Sequence, residues 1–386
     1  MSAITVRTLD CIADFDAVLW DRCATSDGSF NPFLTHAFLL ALETSGSIGG
    51  RTGWKPFHLV VERGSDLIGV VPLYVKGHSQ GEYVFDHSWA DALQRAGGRY
   101  YPKLQATVPF TPATGRRVLP VRNEPELEAT LFEACANLVK ETGVSSLHMT
   151  FMTQAQWERA AQFGFLQRMD QQFHWYNEGY GSFEDFLAQL TSKKRKDLRR
   201  ERRDALANGV EIEWVTGSDL TQTHWDAFYE FYMDTGSRKW GSPYLTRRFF
   251  SEINQHLAAH TLLILCKREG RYIGGALNFI GNDTLYGRNW GCTEYHPFLH
   301  FEACYYQAID FAIARGLKRV EAGAQGQHKI ARGYQPQATY SAHWIAHDGF
   351  RDAVANYLER ERAQVVEDIA HIETMLPFKM DTTRQE

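Results

Sequence analysis

Glu321, His328, Lys329 and Arg332 fall within a dozen residues of one another, in a stretch broken by Gly323, Gly326 and Gly333 and also carrying Gln325 and Tyr334. A carboxylate, an imidazole and an ammonium so placed suit transfer of an acyl group to an amine. One group takes the proton of the attacking amine, and another holds the charge that develops on the carbonyl oxygen. Glu321 and His328 both remain open as the base. Lys329 is the candidate oxyanion stabiliser, and Arg332 suits a carboxylate or a phosphate. A loop network of salt bridges is the competing reading, and the clustering of four ionisable groups favours function over it. Just upstream, Asn289 and Trp290 close an aromatic β-rich segment and join Gln325, Arg332 and Tyr334 as candidate substrate contacts. Cys292 lies beside them without an assigned base partner, so a covalent acyl carrier there is a minor reading.

These groups need a frame. Ala303, Tyr306, Ile309 and Ile313 recur at helical spacing, Gly316 stops that helix, and 318–321 reads as a short strand. A strand, helix, strand unit of this kind leaves a crevice at the carboxyl ends of its strands. The same order occurs earlier, with a hairpin at 57–75, a helix at 127–141 ended by Gly143, and strands at 146–151 and 172–175. Gly143 and Gly316 lie 173 residues apart, while Gly164 and Gly333, and the two His-Trp pairs at 174 and 343, lie 169 apart. Those shifts predict two copies of one mixed α/β unit. The boundary is expected at 179–180, giving a first domain of 1–179 with an aromatic insertion at 77–112, and a second of 180–386. Where the second copy reads GAQGQHKIARGY the first reads MTQAQWERAAQFGF. It lacks the glycines and the lysine, so the chemistry is assigned to the second copy. The insertion holds no sustained period; its Asp86, His87, Trp89, Tyr101, Lys103 and Thr111 are candidate substrate contacts, with packing as the rival. The chain closes on a helix at 350–376, whose Val354, Leu358, Val365, Ile369 and Ile372 form a stripe for packing or for a second copy.

Charge is unevenly spread. The whole chain carries −5, which argues against nucleic acid as partner of the entire surface, yet 193–204 alone carries +5. Such a block suits an anionic partner, and Lys194, Arg195, Arg199 and Arg200 are the candidates for holding a donor's phosphates; a solvated helix face is the competing reading. With 386 residues, 44% hydrophobic and 23% charged, the composition is that of an ordinary globular protein of about two domains. Six cysteines without regular spacing read as reduced thiols. Neither a signal-peptide apolar region nor a run of about 18 apolar residues is found, so a cytoplasmic location is expected. His296 and His300 are four apart but separated by Pro297, with no HExxH, so no metal is expected.

Longer motifs add a resemblance. EAGAQGQHKIARGYQP followed by SAHW, NPFLTHAFLLALE at 31–43, GEYVFDHSWADA at 81–92, YYPKLQATVPFTPATGRR at 100–117 and SKKRKDLRRERR at 192–203 together resemble the FemAB-like peptidoglycan biosynthesis/recognition proteins. These are a bacterial branch of the GNAT-type N-acyltransferases. The resemblance implies tandem GNAT-like domains and a donor, aminoacyl-tRNA or acyl-CoA, that is not tightly bound. The implied acceptor is an amine of a small molecule, peptide or cell-wall precursor. It also carries the functional lysine of Fem-type transferases onto Lys329. Two departures bear on the donor. The position expected for an acetyl-CoA loop reads GCTEYHPFLHFE, and the one match to (Q/R)xxGx(G/A), RYIGGA at 271–276, opens a strand rather than a helix. The long helical arm of the tRNA-using members is missing after the basic helix. Rival readings are a non-catalytic recognition protein for a peptidoglycan precursor or peptide, and an RNA-binding protein.

Overall fold

Apolar alternation and glycine-ended helices build one order of elements twice. In the computed structural model, which describes residues 3–239, 243–323 and 326–379, the chain divides into two units. One comprises Met1–Asp170, Tyr244–His256 and Ala338–Glu367; the other comprises Gln171–Pro243, Leu257–Gln337 and Asp368–Glu386. The units interleave in sequence around the expected boundary at 179–180. Both are mixed α/β. Gly143, Gly164, Gly316 and Gly333 all adopt left-handed φ, at 66°, 84°, 64° and 81°. The residues matched by spacing therefore do the same backbone work in each copy.

In the first unit, Ile4–Leu9, His58–Arg63, Asp66–Val71 and Leu119–Pro120 form an antiparallel sheet in that order. Strand Ser146–Met152 pairs with Lys103–Ala106 in parallel and with residues 340–345 antiparallel. Helix Pro125–Thr142, with proline in its first turn, buries Leu131, Phe132, Cys135 and Val139 among Leu59, Val61, Leu104 and Leu147. The insertion at 77–112 is more ordered than its sequence suggests, because it holds helix His87–Arg95 and strand Lys103–Ala106. That strand is buried along its whole length, so it lacks the alternation by which a one-sided strand is recognised.

The second unit carries the site. Strands Val210–Thr216, Thr261–Arg268, Arg271–Ile280 and Thr284–Cys292 are successive antiparallel neighbours. The next, Arg319–Glu321, runs parallel to Thr284–Cys292 and antiparallel to His174–Tyr176. A parallel neighbour requires a crossover, and residues 299–314 supply it as a helix. Leu285, Val320, Trp175, Ile309 and Ala312 share the core beneath it. RYIGGA opens the strand Arg271–Ile280, and a Cβ on Gly275 would meet Leu265 at 2.8 Å, so these glycines serve sheet packing. Helix Gln222–Lys239 passes over Thr284–Cys292 so closely that a Cβ on Gly291 would stand 2.1 Å from the Phe231 carbonyl oxygen. Only glycine fits there. The basic segment is helix Ser192–Ala205, with Leu198 and Ala205 buried. The closing helix, Asp348–Glu373, buries Val354, Leu358 and Ile372, and Val365 and Ile369 are half-buried. Among the described residues no helix is long and apolar enough to cross a membrane.

Candidate active site

Strand register decides where a ligand fits. Thr284, Leu285 and Tyr286 pair with Arg319, Val320 and Glu321. Pairing then stops, while the first strand continues through Gly287 to Cys292. On its other edge Asn278 faces Gly287 and Leu277 faces Asn289, leaving Arg288 as the extra residue of a bulge. The two strands part, and a cavity of about 100 Å³ opens between them, lined by Asn278, Arg288, Asn289, Cys304 and Tyr305 among others. A larger cavity of about 530 Å³, walled by Tyr295, Phe298 and Phe301, shares Trp290 and His300 with it. The crossover helix bordering the smaller cavity is irregular. Leu299–Phe301 is α, Glu302–Tyr306 is a π turn, and Gln307–Ala314 is α again. A π turn changes which side chains share a face; here Tyr305 lines the cavity while the Tyr306 hydroxyl donates to Glu201 on the basic helix.

The turn Gln327–Arg332 closes over this helix. His328 Nε2 lies 2.8 Å from the Tyr305 hydroxyl. Partial burial, then the charges of Arg332 and Lys329, hold the imidazole below its ordinary pKa, so it is neutral at pH 7. Burial pushes the Tyr305 phenol up. Lys329 is 1% exposed and donates from Nζ to the Gly323 carbonyl at 2.8 Å. Burial lowers it to about 8, partly opposed by Cys304 on the cavity wall.

The remaining members of the expected constellation have other duties. Strand alternation turns Glu321 away from the face on which Val320 meets the crossover helix, and its carboxylate lies 3.5 Å from Arg319 Nε. His328 is thus brought to Tyr305, Lys329 to the Gly323 carbonyl, and Glu321 to Arg319. Arg332 is 5% exposed, donates to Glu201 and to the His328 carbonyl at 2.7 Å each, and stacks 3.4 Å above Phe301. It braces the turn. Tyr334 is fully buried in the core and packs rather than meeting substrate. Gln325 lies outside the described residues. Asn289 lines the smaller cavity and Trp290 lines both.

On the basic helix, Arg199 pairs with Glu184, Arg200 with Asp197 at 3.3 Å, and Arg195 with Ser192 at 3.2 Å. Arg199 and Arg200 are exposed, and Lys194 and Arg195 half-buried. Arg202 faces inward and grips the fully buried Glu302 at 2.8 Å and Asp310 at 2.6 Å.

The sequence pattern of the FemAB-like family, described as peptidoglycan biosynthesis/recognition, matches residues 11–380. The chain belongs to that family. Among solved structures, FemX is 12% identical with a TM-score of 0.56, covering 88% of this chain and 98% of its own. The C-terminal domain of a putative lysylphosphatidylglycerol synthetase from Agrobacterium fabrum is 8% identical, with a TM-score of 0.53 over 88% of this chain and 95% of its own. L-PGS from Bacillus licheniformis is 9% identical, with a TM-score of 0.50 over 85% and 97%. At these identities the likeness is one of fold. No curated protein matches the sequence.

In this FemAB-like chain Asp86 and Lys103 belong to a buried polar core of the first unit. Lys103, 0% exposed, donates to Ser79 at 2.9 Å, to Glu82 at 2.8 Å and to Asp86. Tyr100 donates to Asp86 at 2.6 Å, and Tyr101 meets Ser79 at 2.8 Å. Trp89 is buried under Arg168, and His87 is exposed beside Phe85. Thr111 lines a small cleft with Glu82 and Gln105. Asp86 and Lys103 hold one another, because an unpaired charge at such depth would be costly. Among the described residues no group of three His, Cys, Asp or Glu could hold a metal. Sequence reasoning missed Tyr305, Cys304, Glu201 and Glu302. Tyr305 stands beside Tyr306 in an apolar helical pattern, and nothing in that pattern distinguishes the tyrosine that faces a cavity.

Proposed function

We propose that the second unit transfers an acyl or aminoacyl group from an activated donor to an amine, in the opening between the parted strands. The observation that carries this reading is Tyr305, which lines the opening and whose hydroxyl lies 2.8 Å from His328. The donor carbonyl lodges beside Asn278 and Tyr305. As the amine nitrogen bonds to the carbonyl carbon, Tyr305 takes its proton and passes its own to neutral His328; when the tetrahedral adduct collapses, the proton returns by the same path to the departing oxygen or sulfur. The Lys329 ammonium offsets the charge on the carbonyl oxygen. Glu321 supports from the far side of the sheet through Arg319.

The donor is aminoacyl-tRNA or acyl-CoA. Among the described residues the larger cavity has an aromatic wall of Tyr295, Phe298 and Phe301, which suits a stacking nucleoside end. Lys194, Arg195, Arg199 and Arg200 are proposed to meet donor phosphates further out. The acceptor is proposed to be an amine of a peptide or cell-wall precursor, in keeping with the family's description.

Native mass spectrometry of the purified chain tests the reading. A co-purifying aminoacyl-tRNA or CoA thioester, consumed on adding an amine acceptor and retained by Y305F, is the expected result. A bound precursor that yields no acyl product with either donor class would make this a recognition protein instead.

A further inference from the structure

We propose that Glu201, on the basic helix, is a positioning residue that sets the Tyr305–His328 pair in register. The proposal rests on the proton path above, but its geometry stands independently. The two partners belong to separate segments, the π turn Glu302–Tyr306 and the turn Gln327–Arg332. Nothing covalent near the site fixes their separation. One oxygen, Glu201 Oε2, reaches both segments. It accepts from the Tyr306 hydroxyl, adjacent to Tyr305, and at 2.7 Å from Arg332 Nη2. Arg332 Nη1 in turn donates at 2.7 Å to the backbone carbonyl of His328 itself.

The neighbouring residue strengthens the brace. Arg202 binds Glu302 through Nε at 3.1 Å and Nη2 at 2.8 Å. Gln307 also donates to Glu302, at 2.7 Å, so the carboxylate inside the π turn is fully engaged. Two consecutive residues of one helix therefore hold both halves of the proton path, and proton transfer between donor and acceptor needs placement to a fraction of an ångström.

Electrostatics give a readout that packing alone would not move. The groups facing His328 are Arg332 and Lys329 on its own turn and Tyr305 and His300 on the crossover helix. Glu201 acts on it through Arg332. In E201Q the Arg332 charge loses its half-buried counter-ion, so protonating His328 becomes harder and its titration moves to lower pH.

The test compares E201Q, E201D and L198A in the full chain, following the imidazole of His328 by NMR titration and the reaction by steady-state kinetics. L198A removes buried packing from the same helix and serves as the structural control. For E201Q a turnover loss of about tenfold or more at little changed KM is expected, with the His328 titration shifted acid-ward. E201D should recover part of both, and L198A should lower the melting temperature without moving the titration. An E201Q protein whose His328 titrates as in the parent, or whose losses match those of L198A, overturns the proposal. Full turnover by Y305F would instead sink the proton path and leave the NMR result on Glu201 standing.

Discussion

In the proposed proton path Tyr305 and His328 divide a labour that neither performs alone. A buried phenol with a raised pKa is a poor base on its own, and the neutral imidazole 2.8 Å away can relieve it of its proton. Y305F should therefore lose about a hundredfold or more in turnover, with donor binding retained. The pH–rate profile should be bell-shaped. Its acid limb lies below the ordinary histidine value, because activity falls when His328 gains a proton. Its alkaline limb lies near 8, because activity falls when Lys329 loses one. K329M should remove the alkaline limb and cost about a hundredfold or more. At this scale the sequence exposed His328 and Lys329 through the glycine-rich turn that carries them. It could not expose Tyr305, since a π turn leaves no periodic mark, nor separate Glu321 from His328, since which face a three-residue strand presents depends on its neighbours.

Two elements make the site possible, and both can be challenged. Gly291 lets helix Gln222–Lys239 lie against the strand that borders the opening. G291A must push the two apart, and thermal denaturation of the full chain should report a loss of about 1–3 kcal/mol. The basic helix has an inner face of Leu198, Glu201 and Arg202 and an outer face of cations. Reversing Lys194 and Arg195 to glutamate should weaken binding of a polynucleotide donor and flatten the logarithmic salt dependence by roughly 1.5, measured by fluorescence anisotropy at several ionic strengths. The charge run was legible as a helix. Its inward half was hidden, because Arg202 differs from its neighbours only in facing Glu302.

Over the whole molecule, the duplicated order of elements was legible because paired glycines mark the same left-handed positions in each copy. The interleaving of the two units was not, since it depends on contacts between segments far apart in the chain. The buried core of the first unit was half visible. Asp86 and Lys103 stood out, whereas Glu82, which accepts from Lys103 at 2.8 Å, was not singled out. Burial alone would raise the Asp86 carboxyl, but Lys103 and His148 outweigh it and hold the group well below the usual range. Asp86 therefore contributes stability above the unfolded value of about 3.9, and the contribution is lost only as pH falls through the lower folded value. K103M should cost about 3–5 kcal/mol in urea unfolding and bring acid denaturation on at higher pH.

The three-residue zipper between Thr284–Tyr286 and Arg319–Glu321 has a wider meaning for how such a scaffold changes its trade. The gap beyond it is written in backbone register, so no single side-chain replacement can seal it. Drift at Asn278, Asn289, Cys304 or Trp290 would then retune what enters while leaving the architecture untouched, and new substrates would be reached by relining a permanent doorway.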